Sequence, residues 1–488
     1  MRILPTPDMQ TSPLDRDPSV RQPSLVKLGY TPKARWVPSR YNARTVGHDG
    51  RLILWNTYTG AISVFQPKDR DRVLAALSVS GVEEPLGSTA SYLVRRGYLV
   101  TSSVSELDKF RYRYGREQFR TDILQLILLA SEDCNFRCVY CYEKFQRGTM
   151  SPEVRHGLRE MVTKRAPRLN ELDISWFGGE PLYGWEAVEE LAPFFKRVAD
   201  EHGIRHRQNM TTNAYLLTEE RATRLLEWGC RTYQITIDGL PDQHNCKRVG
   251  RDGSPTYHVI LDNLRSLKAR DDVFSVIVRV NFDRDNVMAL GAFLEALSED
   301  FGGDPRFKLR FRAVGKWGGS NDQNLDTCGL DEQKAVLAQL REKAGEVDLG
   351  LEAGVRRMAS FGSEVCYAAR PYNFIVGASG KLMKCTVVLE ELESNVVGQI
   401  LPDGTMDLKD EYMAQWVKPY FETDPLCQKC YVLPICQGSH CPLPRITENN
   451  TRQCSSVKKE LKFDMRFTLA GSDRSRATDA AAGLVVSD

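Results

Sequence analysis

Cys134-Asn-Phe-Arg-Cys138-Val-Tyr-Cys141 is the most informative segment of this sequence. Its three cysteines are separated by three residues and then by two, a spacing that can hold three corners of a cubane iron-sulfur cluster and leave the fourth iron free. The segment follows an apolar run at 123–130, which is typical of a buried strand. The cysteines are therefore expected in a loop at the C-terminal end of a strand, where α/β barrels carry their active sites.

Zinc is the alternative metal for these cysteines. A closed zinc site needs a fourth protein ligand, and its sequence usually shows two pairs of cysteines, which this segment lacks. The triplet on its own favours an iron-sulfur cluster, and zinc stays open at this point.

The composition argues against several classes of partner. With 488 residues the chain is long enough for two or three domains, and its 66 Lys and Arg residues nearly balance its 64 Asp and Glu residues. No overall field therefore attracts nucleic acid or a membrane surface. No apolar signal sequence is visible, and the longest apolar run, 124–130, is too short to span a bilayer. The thirteen cysteines then indicate metal or cluster ligands in a reducing cytoplasm.

The N-terminal part of the chain predicts a small separate domain. Residues 1–25 are rich in Pro, Asp and Ser and are expected to be a disordered leader. Beyond them follow two strand-like runs around a Tyr58-Thr-Gly60 turn, two helical segments and a strand, at 51–57, 61–65, 67–78, 88–96 and 98–101. This order predicts a winged-helix-like domain over 26–118, and it resembles the precursor-recognition domains of peptide-modifying enzymes. A purely structural N-terminal cap is the alternative.

From residue 122 onward, strands and helices alternate. The predicted strands lie at 123–130, 172–177, 208–213, 232–238, 274–282 and 307–314. The predicted helices lie at 151–166, 185–202, 218–228, 257–270 and 288–299. This alternation predicts an α/β fold with a parallel sheet over 119–320, followed by a linker or helical bridge at 321–365.

The cysteine triplet, with the aromatic Tyr140 before its last cysteine, resembles the signature of radical S-adenosylmethionine (radical SAM) enzymes. The resemblance implies a 4Fe-4S cluster on Cys134, Cys138 and Cys141, whose open iron chelates the amino and carboxylate groups of S-adenosylmethionine. One-electron cleavage of this cofactor gives a 5′-deoxyadenosyl radical, so the cofactor carries the chemistry and the protein positions it. The resemblance also implies that the six strand-helix units form a partial (β/α)6 TIM-like barrel.

The predicted second strand ends in a Gly-Gly-Glu-Pro turn. Two glycines in such a turn let the backbone approach a ligand closely, and an ordinary strand-to-helix turn is the alternative. By the resemblance, this turn binds the amino group of the methionine moiety, which assigns cofactor contacts to Gly178, Gly179, Glu180 and Pro181.

Three further strand-end residues are assigned to the cofactor by the same resemblance. Asn213 follows the third strand, where the family commonly carries Thr-Asn-Gly. Thr236 ends the fourth strand and Arg248 lies twelve residues beyond it, a separation at which family members hold the ribose and the carboxylate of the cofactor. Arginine suits the second task because its planar fork can pair both carboxylate oxygens. Ordinary surface positions are the alternative for a lone Thr or Arg.

Seven more cysteines follow the predicted barrel, and their spacing resembles the SPASM extension, which carries two auxiliary iron-sulfur clusters. We expect this extension at 366–465 and a disordered tail at 466–488. The resemblance places one auxiliary cluster on Cys427, Cys430, Cys436 and Cys454. It places the other on Cys366, Cys385 and Cys441. A zinc ribbon is the alternative, and the upstream triplet favours iron-sulfur clusters.

The three-cysteine set departs from the family spacing. The family pattern puts His440 at the expected ligand position and Cys441 one residue beyond it, so either residue can be the ligand. A cluster with an open position could also bind a substrate thiolate. The remaining cysteines, Cys230, Cys246 and Cys328, are expected to be buried or incidental thiols.

SPASM-type radical SAM enzymes mostly modify peptides or proteins, so the resemblance implies a maturase of a ribosomally made precursor peptide. The predicted reaction abstracts a hydrogen atom from a side chain or Cα and forms a thioether or carbon-carbon crosslink, with the auxiliary clusters accepting the second electron. A flavodoxin or ferredoxin is the expected electron donor. The protein is expected in the cytoplasm, without nucleic-acid or membrane partners.

Three alternatives stay open. A sulfatase-maturing enzyme, which forms formylglycine, typically carries an Asp base directly after the cysteine equivalent to Cys385, where this chain has Thr386. A peptide epimerase needs a hydrogen donor, for which one of the three remaining cysteines would serve. A non-enzymatic zinc protein that bound nucleic acid would need basic residues, and 427–441 contains a single lysine. No residue can be assigned as the catalytic base.

Overall fold

The computed structural model describes residues 35–78, 88–145, 147–352 and 361–455, together with 457, 458, 461 and 465. The predicted leader at 1–25 and the predicted tail at 466–488 lie outside these residues. The described chain divides into two compact units, one containing 35–109 and the other beginning at Phe110. The predicted domain boundaries stay predictions. No helix within the described ranges is both long and apolar enough to cross a membrane.

The described part of the first unit forms five strands and two helices. In chain order they are β1 (Trp36–Pro38), β2 (Asn42–Val46), β3 (Leu52–Asn56), β4 (Ile62–Phe65), α1 (Pro67–Ala76), α2 (Ser88–Arg95) and β5 (Leu99–Thr101). Strands β2, β3 and β4 form an antiparallel sheet, and β1 pairs with β5. The predicted hairpin, helices and final strand are confirmed, and β1 and β2 are additional. Helix α3 (Glu106–Gln118) follows.

Local side chains explain the hairpin between β3 and β4. Asn56 Oδ1 accepts hydrogen bonds from the backbone N–H groups of Tyr58 (3.0 Å) and Thr59 (2.9 Å), and Gly60 has a φ of +75°. The buried Tyr98 hydroxyl donates to the backbone oxygen of Leu54 (3.0 Å), which fixes β5 to this sheet.

The second unit is built on one large sheet. Its parallel strands are β6 (Ile123–Ser131), β7 (Glu171–Gly178), β8 (Arg205–Thr212), β9 (Cys230–Thr236), β10 (Ser275–Phe282), β11 (Phe307–Ala313) and β12 (Gly350–Leu351). The helices between and after them are α4 (Pro152–Arg165), α5 (Trp185–His202), α6 (Glu219–Glu227), α7 (Pro241–Lys247), α8 (Tyr257–Lys268), α9 (Leu290–Phe301) and α10 (Leu330–Glu346). The six predicted strands and five predicted helices are confirmed, as is the partial barrel.

The C-terminal region extends this same sheet. Strand β13 (Asn373–Val376) pairs in parallel with β6, and β14 (Lys381–Met383), β15 (Val396–Ile400) and β16 (Met406–Leu408) continue antiparallel. Up to residue 455 the described chain then forms α11 (Asp410–Val417), α12 (Pro425–Gln428), α13 (Leu433–Cys436) and α14 (Leu443–Thr447). The cysteine-rich region is therefore joined to the barrel by backbone hydrogen bonds between β13 and β6.

The two faces of the parallel sheet differ in polarity. Alternate residues of β6, such as Leu124 and Leu126, are buried in the hydrophobic core. The intervening residues include polar side chains that align across strands, so that Gln125, Asp173 and Arg207 lie in register. The carboxyl ends of these strands meet at one edge, where the predicted site residues lie.

Candidate active site

The loop that carries the predicted cluster cysteines begins where β6 ends. The Ser131 hydroxyl accepts a hydrogen bond from the N–H of Asp133 (3.1 Å), and the Asp133 carboxylate accepts one from the N–H of Cys134 (2.8 Å). Asp133 also forms ion pairs with Arg137 (3.1 Å) and Arg251 (3.0 Å). One carboxylate therefore fixes the chain before and after Cys134.

The segment that follows α7 runs alongside this loop. The N–H of Arg137 donates to the backbone oxygen of Val249 (2.9 Å), and the N–H of Val139 donates to that of Lys247 (3.0 Å). This pairing brings Arg248 next to the three cysteines, although more than one hundred residues separate them in sequence.

The three thiols lie in a buried environment. Burial raises the pKa of Cys134, and the nearby Glu180 carboxylate acts in the same direction. Burial likewise raises the pKa of Cys138, and it raises that of Cys141 to about 12. These thiols therefore hold their protons until a metal displaces them. The N–H of Phe136 donates to Cys134 Sγ (3.3 Å), a hydrogen bond of the kind that tunes cluster potentials.

The three thiols are neighbours that do not meet at one point. Within the described ranges, no three His, Cys, Asp or Glu side chains converge on one metal position. The ligands of a cubane cluster bind different iron atoms, so they surround the cluster and do not converge on a point. Cys138 is a close electrostatic neighbour of both Cys134 and Cys141, as such an arrangement requires.

The Gly-Gly-Glu-Pro turn packs against the cluster loop. The N–H of Gly179 donates to the backbone oxygen of Ser131 (3.0 Å). A Cβ atom at Gly178 would lie 2.2 Å from Ser131 O, and one at Gly179 would lie 2.5 Å from Asp133 O. Gly178 also has a φ of +113°, which favours glycine. The sequence suggested that the glycines approach a ligand, whereas the close approach seen in the structure is to the backbone of the cluster loop.

Glu180 connects this turn to the end of β8. Its carboxylate accepts hydrogen bonds from the Thr212 hydroxyl (2.6 Å) and from the N–H groups of Leu182 (3.0 Å) and Asn213 (2.7 Å). Burial raises the pKa of Glu180, although these hydrogen bonds act in the opposite direction. Pro181 is buried directly after it, at the start of a short 3-10 turn. Glu180 therefore positions the ends of two neighbouring strands.

Asn213 and Thr236 both lie at this edge of the sheet. The Asn213 amide donates to Asn135 Oδ1 (2.8 Å) and lies 3.8 Å from Cys134 Sγ. An N–H group directed at a thiolate sulfur stabilises its negative charge. Thr236 is buried at the end of β9, and its side chain has no hydrogen bond to another described residue.

Arg248 lies in a buried polar network. Its guanidinium donates to the Tyr140 hydroxyl (2.9 Å), which also accepts from Asn281 (3.1 Å) and donates to the Asp238 carboxylate. Burial opposes the guanidinium charge, but Tyr140, Cys138 and Asp238 hold the pKa of Arg248 well above its usual value. Arg248 Nε is buried and has no hydrogen-bond partner among the described residues. A buried donor of this kind suits a carboxylate ligand.

Helix α7, which the sequence analysis missed, positions Arg248. His244 Nδ1 accepts a hydrogen bond from the N–H of Asp238 (3.3 Å), and its Nε2 lies 3.2 Å from the Thr256 hydroxyl. That hydroxyl donates to the backbone oxygen of Arg248 (2.5 Å). Burial lowers the pKa of His244 well below its usual value, and the charge of Arg248 acts in the same direction. A neutral histidine therefore connects α7 to the segment after β9 that contains Asp238.

Sequence reasoning also missed three polar residues near the cysteines. Asp238 and Asn281 belong to the hydrogen-bond network around Tyr140. Each lies near the C-terminal end of a strand, and this position in the sequence could have marked them as candidate site residues. Glu143 follows the last cluster cysteine by two residues. Burial, with the nearby charge of Glu132 in support, raises the pKa of Glu143 to about 7.

Three C-terminal cysteines form a second group. Burial raises the pKa of Cys366 to about 12, and the neighbouring Cys385 and Cys441 thiols act in the same direction. Cys385 lies two residues after the end of β14, and its N–H donates to Asn395 Oδ1 (2.8 Å). The preceding residue, Lys384, donates from Nζ to two backbone oxygens, and burial lowers its pKa to about 7.

The other four C-terminal cysteines line one cavity, and they are Cys427, Cys430, Cys436 and Cys454. Burial raises the pKa of Cys436 to about 12, and the other three thiols act in the same direction. His440 also lines this cavity. Cys441, in contrast, neighbours Cys366 and Cys385. Of the two possible ligands for the three-cysteine set, the structure therefore places Cys441 beside it.

A buried ion pair supports the four-cysteine cavity. Asp424 accepts hydrogen bonds from the N–H groups of Leu426 (3.0 Å) and Cys427 (3.2 Å) at the start of α12, and it pairs with Arg445 (2.8 Å). Arg445 also lies 3.6 Å from Cys427 Sγ. Its buried positive charge therefore stands next to a predicted cluster ligand.

The remaining three cysteines lie elsewhere. Cys230 begins β9 and Cys328 precedes α10, and both are buried, whereas Cys246 is exposed on α7. Cys230 and Cys328 fit the expected structural thiols, and Cys246 is accessible.

Comparison with known proteins identifies the class. Residues 128–294, which contain the cluster loop, the glycine turn and Arg248, match the Radical SAM superfamily. The chain therefore contains a radical SAM domain over these residues. The alternative of a non-enzymatic zinc protein is set aside. This class implies S-adenosylmethionine and one 4Fe-4S cluster as cofactors.

Curated relatives share this part of the chain. The radical SAM cyclopropyl synthase TigE of Paramaledivibacter caminithermalis is 26% identical over 215 residues, which cover 39% of this chain and 44% of that protein. The GTP 3′,8-cyclase of Clostridium perfringens is 26% identical over 184 residues, 36% of this chain and 52% of the relative. The chain spans about half the length of the curated relatives it matches.

A solved structure shares the fold over a longer range. Native anSMEcpe with bound AdoMet and Cp18Cys peptide matches 74% of this chain and 99% of its own, with a TM-score of 0.54 and 18% sequence identity. The likeness extends beyond residues 128–294, so the two proteins share a fold that is larger than the radical SAM domain alone.

Proposed function

We propose that this enzyme is a maturase of a ribosomally made precursor peptide, in which it forms a thioether or carbon-carbon crosslink. The observation that carries the proposal is the pair of additional cysteine groups built onto the barrel sheet. Joining two residues removes two hydrogens from the peptide, one as a hydrogen atom and one as a proton with an electron. The reaction therefore needs an electron acceptor besides the radical.

The residues that would hold the cofactors follow from the site geometry. Cys134, Cys138 and Cys141 would hold the radical SAM cluster, and the two C-terminal cysteine groups would hold auxiliary clusters. When bound, S-adenosylmethionine and the radical SAM cluster would supply the 5′-deoxyadenosyl radical, and the auxiliary clusters would accept the remaining electron. A flavodoxin or ferredoxin is the proposed electron donor.

The protein residues would bind and orient the cofactor. We propose that Arg248 pairs with the carboxylate of S-adenosylmethionine through its unpartnered Nε. The backbone around Gly179 would accept the amino group, and the free hydroxyl of Thr236 would contact the ribose. Tyr140 and Asn213 would support these contacts through their hydrogen bonds to Arg248 and to the cluster loop.

The first unit is proposed to capture the precursor peptide. Its three-stranded sheet has β2 and β4 at its edges, and an extended peptide can add to such an edge through main-chain hydrogen bonds. Val46 on β2 and Val64 on β4 are exposed apolar residues that would contact side chains of the added strand. The peptide carried by the anSMEcpe structure supports a peptide substrate for this fold.

High-resolution mass spectrometry tests the proposal. Reconstituted enzyme, S-adenosylmethionine, a reductant and the short peptide encoded beside the gene are combined without oxygen. Loss of two hydrogens from one residue pair, absent in Cys138→Ala, is the expected result. One deuteron gained in heavy water without other change would indicate an epimerase, and conversion of a Cys or Ser to formylglycine would indicate the sulfatase-maturing alternative. Formation of 5′-deoxyadenosine with an untouched peptide would refute the substrate class.

A further inference from the structure

A cavity of about 230 Å³ lies beside the cluster loop. Its first wall is formed by residues 142–145 and 147, shortly after Cys141, and its second wall by residues 387–389 and 391, shortly after Cys385. Trp317 and Gly318 close a third side. The cavity thus lies between a predicted radical SAM cluster ligand and a predicted auxiliary cluster ligand, and no cofactor contact is assigned to its lining.

The charges around this cavity do not balance. Arg147 pairs with Glu132 (2.9 Å) and with Glu390 (2.9 Å). Lys144 pairs with Glu391 (3.2 Å). Both lining cations are therefore already shared among carboxylates. Glu143 also lines the cavity, and its carboxylate has no hydrogen bond or ion pair with any other residue in the described ranges.

The other walls suit a long aliphatic chain. Val387, Val388 and Leu389 form an apolar strip, and the Trp317 ring is 58% exposed. Phe145 also lines the cavity, and the guanidinium carbon of Arg137 lies 4.1 Å from the centroid of its ring. Aromatic faces attract cations, and lysine and arginine place their methylene groups along apolar surfaces with the charge at the tip.

We propose that this cavity binds a lysine or arginine side chain of the substrate, with Glu143 as its counter-ion and Trp317 against its methylene groups. The segment that contributes Trp317 to the cavity wall packs directly on the cluster loop, since a Cβ atom at Gly319 would lie 2.5 Å from Cys141 O. A cationic side chain held in the cavity would therefore anchor the peptide next to the cluster loop. An anionic side chain would find both lining cations already paired with carboxylates. The inference rests on the proposed peptide substrate.

Binding measurements test the cavity without turnover. The reconstituted full-length enzyme is titrated by calorimetry with acetyl-Gly-Gly-Lys-Gly-Gly-amide and with the same probe carrying norleucine. We expect the lysine probe to bind at least about tenfold more tightly, as for a hydrogen bond to a charged group. Glu143→Gln should reduce this preference to about twofold or less. Glu393→Gln, an exposed carboxylate outside the cavity, is the matched control and should keep it.

Several results would overturn the inference. Equal binding of both probes to the wild-type enzyme, or an unchanged preference in Glu143→Gln, would do so. Butylammonium that binds as tightly as the lysine probe would assign the cavity to a small amine instead. Because Glu143 is close to Cys141, the visible absorption of Glu143→Gln must match that of the wild type. Glu143→Lys gives a second test, since it should bind a probe with glutamate more tightly than the lysine probe. If the precursor peptide is crosslinked while no lysine preference exists, the cavity assignment fails and the proposed function stands.

Discussion

Arg248→Lys should weaken the binding of S-adenosylmethionine while leaving the cluster in place. The lysine keeps the positive charge but lacks the planar fork and the Nε donor, which in the wild-type protein is buried without a partner. A hydrogen bond between a buried charged donor and a carboxylate contributes about 1.5–3 kcal/mol. Its loss therefore corresponds to roughly 10- to 150-fold weaker binding of the cofactor.

Equilibrium binding of S-adenosylmethionine to the reconstituted enzyme measures this effect. Arg251→Lys is the matched control, since Arg251 is exposed and its ion pair with Asp133 survives as a lysine pair, so its affinity should stay within about twofold. Iron content and visible absorption should be unchanged in both variants. An Arg248→Lys affinity within about twofold of the wild type would show that Nε does not serve the carboxylate and that Arg248 acts only through Tyr140.

Three further changes probe the loop and its supports. Gly179→Ala should abolish incorporation of the radical SAM cluster, because its Cβ would lie 2.5 Å from Asp133 O, and iron content per chain measures the loss. Asn213→Ala should lower the reduction potential of that cluster by removing an N–H group near Cys134 Sγ, as measured by potentiometry with electron paramagnetic resonance. His244 has a lowered pKa in the folded state, so the unfolded state binds the extra proton as the pH falls. The free energy of unfolding should therefore decrease by up to about 1.4 kcal/mol per pH unit below about 6.5, and His244→Gln should remove that dependence in thermal unfolding experiments at several pH values.

The barrel could be predicted because its determinants are local in sequence. Strands such as β6 are largely apolar and others such as β11 alternate apolar and basic residues, and the predicted helix starts carry caps such as Ser151, whose hydroxyl accepts from the N–H of Val154. Helix α7 escaped prediction because it is seven residues long, too short to show an apolar period. The pairing of β13 with β6 also escaped, since it joins Asn373 to Gln125 and no local pattern encodes a partner so distant in sequence.

The candidate site likewise contains residues that local sequence predicts and residues that only the fold brings together. Cysteine spacing predicts the ligands of the first group, but it leaves His440 and Cys441 equivalent, whereas the fold places Cys441 beside Cys366. The sequence does not predict the contact of Asp238, because its carboxylate accepts a hydrogen bond from Tyr140, which lies on a different loop. Residues that act through long-range hydrogen bonds need the fold before they can be found.

A buried basic side chain lies near each of the three cysteine groups. Arg248 lies in the field of all three radical SAM cluster cysteines, Lys384 is adjacent to Cys385, and Arg445 lies 3.6 Å from Cys427 Sγ. All three cations are buried. Because a metal-bound thiolate group would carry negative charge in a medium of low dielectric constant, a cation beside it would offset the cost of burial and favour the reduced state. Burial lowers the pKa of Lys384 to about 7, so at its cysteine group this effect would depend on the pH, whereas a guanidinium keeps its charge beside the other two groups.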